Sequence, residues 1–294
     1  MFALRSVSPG AVLALALTAV LVCAAPLSSL RAQETLRISR TGPMEVTHFT
    51  FLRGEEGPPR PPAPYAAGAT VYLEYAVGGF ALDDDDRMNV DLWALTTDPQ
   101  GLPIHEPWTQ TIAQGSDATP LTGDYAVTLP VFCPPGTYEF TLRAMDRVGG
   151  TDLEATATLE VEAPPILPAE GLEIRDFALS LEEGGQAAAP PVLEGGGTVY
   201  MRCKLFGMEL QDDVADIQME FQVTGPEGDV LLDEPEFFHD RDTYVYHPPS
   251  FYLPITGHLT IPAAMPPGTY TLRYTARDNL AGEKIVQMGR VVVR

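Results

Sequence analysis

Apolar and polar residues alternate with a period of two along several stretches of the chain. In GTYEFTLRAMD (136–146) every second residue from Tyr138 to Ala144 is apolar, and GTYTLRYTARD (268–278) repeats the alternation from Tyr270 to Ala276. A period of two is typical of a β-strand with one buried face. No stretch after residue 32 has a sustained apolar stripe at helical spacing, so the pattern predicts an all-β fold.

Other β-rich runs are bounded by Gly, Pro and Asp. In the first half they are VTHFTFL, ATVYLEYAV, NVDLWAL, DYAVTLPV and ATATLEVE. In the second half they are IRDFALSL, TVYMRCKLF, DIQMEFQV, HLTIP and KIVQMGRVVV. About six or seven strands in each half favour two antiparallel β-sandwiches as the architecture.

The two halves repeat one another. GTYEFTLRAMD lies over GTYTLRYTARD, and each copy is preceded by two prolines. Further upstream, residues 70–93 lie over residues 198–221 at a constant offset, which sets Trp93 opposite Phe221. The offset stays at about 130 residues, which is the length of a domain and too long for a solenoid repeat.

The repeat predicts a domain organisation. Residues 33–162 form the first sandwich and residues 170–294 the second, joined by APPILPA (163–169), a Pro-rich and therefore semi-rigid spacer. Each half is long enough for its own hydrophobic core, so we expect each to fold alone.

Residues 1–32 have the features of a secretory signal peptide. The first ten residues carry one Arg and no acid, AVLALALTAVLVCAA follows, and the small Ala32 precedes Gln33. This run of 15 residues is short for a membrane span. A lipid anchor on Cys23 would call for a small residue where Val22 stands. We therefore predict cleavage near Ala32 and a secreted or periplasmic protein with no transmembrane span in the mature chain.

The net charge limits the classes of partner, and the positions of the cysteines limit the disulfides that can form. The chain has 40 acidic and 18 basic residues, a net charge of −22, which disfavours nucleic acid as a partner. Beyond the leader, Cys133 and Cys203 stand at non-equivalent places in the two copies. We expect each to be a small buried apolar residue, while a bridge between the domains stays open.

The residues that open the repeated strand resemble a known architecture. Pro135-Gly136-Thr137-Tyr138 and Pro267-Gly268-Thr269-Tyr270 resemble the tyrosine corner of immunoglobulin-like and fibronectin-type-III-like sandwiches. The resemblance covers the whole mature chain, which is similar to the tandem immunoglobulin-like domains of exported bacterial proteins. It implies a Tyr hydroxyl bonded to nearby backbone. The paired cysteines of antibody domains are missing, and this architecture hosts many unrelated functions.

Acidic turns recur in both copies. Asp84 and Asp85 align with Asp212 and Asp213 between the second and third strands. Carboxylates are ligands for calcium, but Arg87 stands where an EF-hand-like series would place its third acid. We interpret both turns as solvated loops and leave calcium binding open.

An aromatic segment of the second copy is the best candidate for a binding face. FFHDRDTYVYHPPSFY (237–252) fills a connection that is polar in the first copy, and aromatic rings on loops can stack on sugars or anchor a protein. The predicted ligand-binding residues are Phe237, Phe238, His239, Tyr244, Tyr246 and His247. Alternatively, Tyr244 and Tyr246 belong to an extra strand, and Phe251 and Tyr252 begin a core segment.

Motifs of common enzymes are missing from the sequence. It has no HExxH, GxSxG or SxxK motif, and the histidines are scattered without zinc-ligand spacing. We predict a non-catalytic interaction or scaffold protein with no cofactor or metal and with a protein or glycan partner. The alternatives are a carbohydrate- or calcium-binding module and a hydrolase whose site is assembled from distant loops.

Overall fold

Two compact units of β-structure make up the chain. The computed structural model describes residues 4–7, 36–115 and 120–294, which are all-β. One unit ends at Ile166; the other begins at Leu167, runs to Arg294 and also contains Leu4–Val7. The division falls within the predicted spacer. We call the two units domain 1 and domain 2.

The strands are numbered in chain order. Strand β1 (Leu4–Val7) belongs to domain 2. The strands of domain 1 are β2 (Arg37–Arg40), β3 (Glu45–Leu52), β4 (Tyr65–Ala66), β5 (Thr70–Gly78), β6 (Arg87–Thr97), β7 (Trp108–Gly115), β8 (Leu121–Thr128), β9 (Gly136–Asp146) and β10 (Thr151–Glu162). The remaining strands of domain 2 are β11 (Glu173–Ser180), β12 (Val192–Leu193), β13 (Thr198–Phe206), β14 (Val214–Thr224), β15 (Val230–Thr243), β16 (Tyr252–Thr260), β17 (Gly268–Asp278) and β18 (Glu283–Val293).

Domain 1 is a sandwich of two sheets. One sheet has the order β2-β10-β9-β6-β7, with β4 parallel to β10, and the other has the order β3-β5-β8. The alternating strands turn their apolar residues between the sheets. The ring of Phe140 on β9 lies 6.1 Å from Phe49 and 5.1 Å from Tyr125, both on the opposite sheet. The core therefore sits between two antiparallel layers.

Domain 2 repeats this arrangement. Its larger sheet has the order β12-β18-β17-β14-β15, with β12 parallel to β18, and its smaller sheet has the order β1-β16-β13-β11. Phe177 on β11 lies 5.4 Å from Tyr274 on β17, across the core. Strands β11 to β18 follow the same topology as β3 to β10, as the internal repeat predicts.

The predicted tyrosine corners are confirmed in both domains. The Tyr138 hydroxyl donates to the carbonyl of Pro134 at 2.8 Å, and the Tyr270 hydroxyl donates to that of Pro266 at 2.6 Å. Both rings are buried, at 0% and 1% exposure. Each pair ties the strand entry to the loop before it.

A buried aspartate ends the repeated strand in each domain. Asp146 Oδ1 accepts hydrogen bonds from the backbone N–H groups of Val148 and Gly149, and its Oδ2 accepts one from Ala81 at 2.7 Å. In domain 2, the equivalent Asp278 bonds Leu280, Ala281 and, at 2.7 Å, Glu209. The carboxylate thus shapes its own turn and holds a second loop against it.

The predicted equivalence of Trp93 and Phe221 is wrong by one residue. Trp93 pairs with Arg143 on β9. The residue of β17 equivalent to Arg143 is Thr275, and it pairs with Glu220 rather than with Phe221. The turn before β6 has three residues between Asp83 and Arg87, whereas its counterpart has only two, Asp212 and Asp213. The extra residue shifts the register, and a one-residue shift moves a side chain to the other face of the sheet.

Most of the predicted signal peptide lies outside the described residues. Of residues 1–32, only Leu4–Val7 are described, and they pair antiparallel with Thr256–Leu259 of β16. No helix within the described ranges is long and apolar enough to cross a membrane. Cleavage near Ala32 stays a prediction.

Candidate functional site on domain 2

The aromatic segment begins on a strand rather than in a loop. Strand β15 runs to Thr243 and pairs with β14 along the edge of the larger sheet, with a register shift between Met219 and Phe221. Residues 237–243 are therefore strand, and residues 244–251 form the return to β16. The proposed extra strand through Tyr244 and Tyr246 is not formed, since β15 ends before both.

Three of the predicted ligand-binding side chains lie in the interior. Phe237, Phe238 and Tyr246 are 8%, 3% and 5% exposed. The Phe237 ring lies 5.5 Å from Phe221 and 6.5 Å from Tyr274, so it extends the core beneath β15. Phe237 and Phe238 anchor β15 to the core, and Tyr246 is buried in the return that follows the strand. Their role in ligand binding stays a prediction.

The remaining predicted residues are polar groups anchored by aspartates. His239 Nε2 lies 3.0 Å from Asp216 Oδ1, and His247 Nε2 lies 2.9 Å from Asp213 Oδ1. Both histidines are exposed. The half-buried Tyr244 donates its hydroxyl hydrogen to the buried carboxylate of Asp240, and burial together with that carboxylate raises the pKa of Tyr244.

Asp216 is the centre of this polar group. Its Oδ1 accepts a hydrogen bond from Asn279 Nδ2 at 2.7 Å, and Arg241 Nη1 lies 3.7 Å from its Oδ2. The Asn279 amide and then the His239 imidazole hold the pKa of Asp216 below its usual value. The carboxylate therefore stays ionised and orients the side chains of His239 and Arg241 on the outer surface.

The acidic turns have backbone conformations that suit aspartate. Asp212 and Asp213 have φ angles of 52° and 62°, and Asp86 in the other turn has 56°. Aspartate tolerates this left-handed region better than most residues. In the described parts of the chain, no group of three or more His, Cys, Asp or Glu side chains is placed to hold a metal ion. Calcium binding at these turns stays a prediction.

Both described cysteines are buried free thiols. Cys133 is 0% exposed and Cys203 is 4% exposed. Burial raises the pKa of Cys133, and it raises that of Cys203 to about 12. Since the thiolate is the reactive form, neither group is set up as a nucleophile at neutral pH.

A histidine in domain 1 joins its two sheets, and sequence reasoning missed it. His105 Nε2 accepts hydrogen bonds from the Thr96 N–H at 3.1 Å and from the Tyr125 hydroxyl at 2.8 Å. Its Nδ1 donates to the Glu106 carbonyl at 2.6 Å. Burial lowers the pKa of His105, which suits a neutral ring that accepts at Nε2. No motif in the sequence marks this contact.

Comparison with known proteins yields no family. No protein-family model and no curated protein matches the chain. Among solved structures, the C-terminal domain of the Streptococcus pyogenes antigen I/II-family protein AspA is 10% identical, with 87% of this chain and 99% of that chain covered at a TM-score of 0.26.

Two further solved structures are similarly distant. The C-terminal domain of the Streptococcus agalactiae AgI/II polypeptide BspA is 10% identical, with 83% and 99% covered at a TM-score of 0.27. Escherichia coli alpha-2-macroglobulin is 13% identical, with 88% of this chain and 17% of that chain covered at a TM-score of 0.25. Similarity at this level assigns neither a family nor a function.

Proposed function

We propose that this chain is an exported interaction or scaffold protein of the cell envelope or extracellular space, and that it binds a protein partner through domain 2. One observation carries the proposal. Strand β15 has 14 residues, whereas its domain 1 counterpart β7 has 8. The six additional residues are Val230–Asp233 and two residues of the bulge that follows Glu234. The bulge lets the consecutive Phe237 and Phe238 both enter the core, and the strand beyond it carries His239 where β7 has Thr111. Domain 2 is thus elaborated at one edge of a frame that both domains share.

The binding surface that we propose consists of the outward His239 and Arg241 of β15 together with the half-buried Tyr244 and the exposed His247, which follow the strand in the return to β16. We call it the β15 face and define it by His239, Arg241, Tyr244 and His247. The buried rings of Phe237 and Phe238 hold the strand, and the aspartates orient the polar groups. Side chains ordered before binding lose less conformational entropy when a partner binds, which favours recognition at this surface.

The edge of β15 favours recognition by side chains over strand addition. Pro235 lies within the strand, and Asp233, Glu234 and Glu236 are exposed beside it. Proline and charged residues on an edge strand oppose pairing with a further strand. A partner should therefore contact the β15 face through polar and ionic groups.

Pull-down from envelope extracts with matched variants tests this proposal. The double variant His239→Ala, Arg241→Glu should lose a partner that the unchanged protein captures, since it removes two side chains from the β15 face. The control is Thr109→Ala on β7, which should retain the partner. Equal capture by both variants, or no partner captured by the unchanged protein, would refute the proposal.

Intact-mass measurement tests the export step. The protein recovered from the producing cell should have a mass that begins at Gln33 or very near it. A mass that includes the leader, or a diacylglycerol on Cys23, would refute export by the predicted route.

A further inference from the structure

One edge of the larger sheet is covered by a strand in domain 1, and the equivalent edge in domain 2 is not covered by a described strand. In domain 1, β2 covers the edge of β10, with Arg37 paired to Thr156 and Arg40 paired to Leu153. The inward residues of the covered stretch, Leu153 and Ala155, are 1% and 0% exposed. Strand β2 therefore completes the sheet and closes its core on this side.

The equivalent edge of domain 2 is open. Residues Ile285–Met288 of β18 correspond to residues 153–156, and within the described ranges no strand pairs with their outer side. Strand β12 pairs only with Val292 and Val293. Val286 and Met288 are 42% and 51% exposed. The edge therefore presents unpaired backbone groups together with apolar side chains.

The sequence explains why domain 2 does not cover its own edge. The covering segment of domain 1 reads RISR and ends five residues before β3 begins. The equivalent segment before β11 reads PILP (165–168). Its two prolines lack the N–H groups that a ladder needs, so this segment is a poor covering strand.

Charge at the open edge indicates what could cover it. The outer face of β17 and β18 carries Arg273, Lys284 and Arg290 around the exposed Val286 and Met288. Among the described residues, none of these three cations forms an ion pair. Free cations on a chain of net charge −22 favour an anionic ligand.

The covered edge of domain 1 also brings opposite charges together, but there the acidic residues are on the covered strand. There the covering strand carries Arg37 on the same face as Asp152 and Glu154 of the covered strand, whereas Arg40 pairs with Leu153 on the inner face. Opposite charges on neighbouring strands stabilise a sheet. The covered edge of domain 1 is therefore a template for the open edge of domain 2.

We propose that the outer edge of β18 binds an extended acidic segment of a partner protein, which adds to the sheet as a strand over Ile285–Met288. Main-chain hydrogen bonds supply part of the affinity, and Lys284 and Arg290 select acidic side chains. The site does not depend on the proposed β15 face, because β15 and β18 are opposite edges of one sheet.

Synthetic peptides test the proposal. The probe is a short capped peptide in which Glu alternates with Val and Thr. One control peptide has Lys in place of Glu, and another has Pro at its centre. We expect the acidic peptide to bind at least about tenfold more tightly than either control. It should also slow hydrogen exchange of the backbone amides in residues 285–288.

Variants assign the binding to this edge. The double variant Lys284→Glu, Arg290→Glu should weaken binding of the acidic peptide and strengthen binding of the basic one. Arg202→Glu, on the other sheet, should change little, and so should Arg241→Glu on the β15 face. Equal affinity for all peptides, or protection elsewhere on domain 2, would overturn the proposal. Self-association that protects residues 285–288 without peptide would also overturn it, because a second copy would then be the occupant.

Discussion

Domains 1 and 2 share a frame and differ at their edges. The corner tyrosine, the buried aspartate and the strand order recur in both. Strand β15 is longer than β7, and β10 is covered where β18 is open. The comparison indicates that the repeated residues, which are easiest to see in the sequence, maintain the fold. Residues that distinguish the copies are the better guide to function.

Removal of the corner tyrosines should have the largest effect. Tyr138→Ala and Tyr270→Ala should each lower the free energy of unfolding of their own domain by about 3 to 5 kcal/mol, since a fully buried aromatic ring is lost. Tyr→Phe at either site is the matched control and should cost about 1 kcal/mol, the contribution of one hydrogen bond.

The readout can separate the domains. Both tryptophans, Trp93 and Trp108, lie in domain 1, so tryptophan fluorescence follows its urea unfolding, while circular dichroism follows both domains. If the two Tyr→Ala variants lowered the free energy of unfolding by unequal amounts, the two corners would not contribute equally to the stability of their domains. If Tyr270→Phe left stability unchanged but abolished partner binding, that residue would have a functional role instead.

Changes to the buried aspartates should have a smaller effect. Asp146→Asn and Asp278→Asn keep one acceptor oxygen but replace the other with an amide that cannot accept from Ala81 or Glu209. Each should cost about 2 kcal/mol, as for a hydrogen bond to a charged group. Urea unfolding measured as above should show similar losses in both domains. A loss in one domain alone would contradict the shared frame.

Acid should reveal a difference between the domains. Burial holds the pKa of His105 below its ordinary value of 6.5, so this group stabilises domain 1 above pH 6.5. That contribution is lost as the pH falls through the lowered pKa, because protonation at Nε2 removes the acceptor used by Thr96 and Tyr125. His105→Gln should remove this part of the pH dependence of the fluorescence-detected urea midpoint. An unchanged pH profile would contradict it.

Much of the fold follows from local pattern. Alternation in 136–146 and 268–278 predicts β9 and β17, and the two Pro-Gly-x-Tyr segments predict the hydroxyl contacts of their tyrosines. Strands β7 and β15 were not predicted. In β15, Pro235 and the acidic residues beside it interrupt the alternation from which strands are recognised.

The candidate site could be predicted only in part. The sequence indicates an unusual aromatic cluster in domain 2, but it does not show which side of β15 each ring occupies. A register shift in the pairing with β14 decides that, and it depends on the partner strand. The contact joins His105, in the connection between β6 and β7, to Tyr125 on the other sheet, so no local pattern marks it.

The turn that precedes β6 bears on how the domains can be recombined. A chimera joined inside β6 and β14 at the offset that aligns Thr70 with Thr198 would place the sequence of one domain one position out of step with the other. Phe221, which is 2% exposed, would then replace the half-buried Trp93 on the outer face instead of Ala94 in the core. A junction at Asp83 and Gln211, before the turn, would carry the extra residue with its own strand and keep every side chain on its native face.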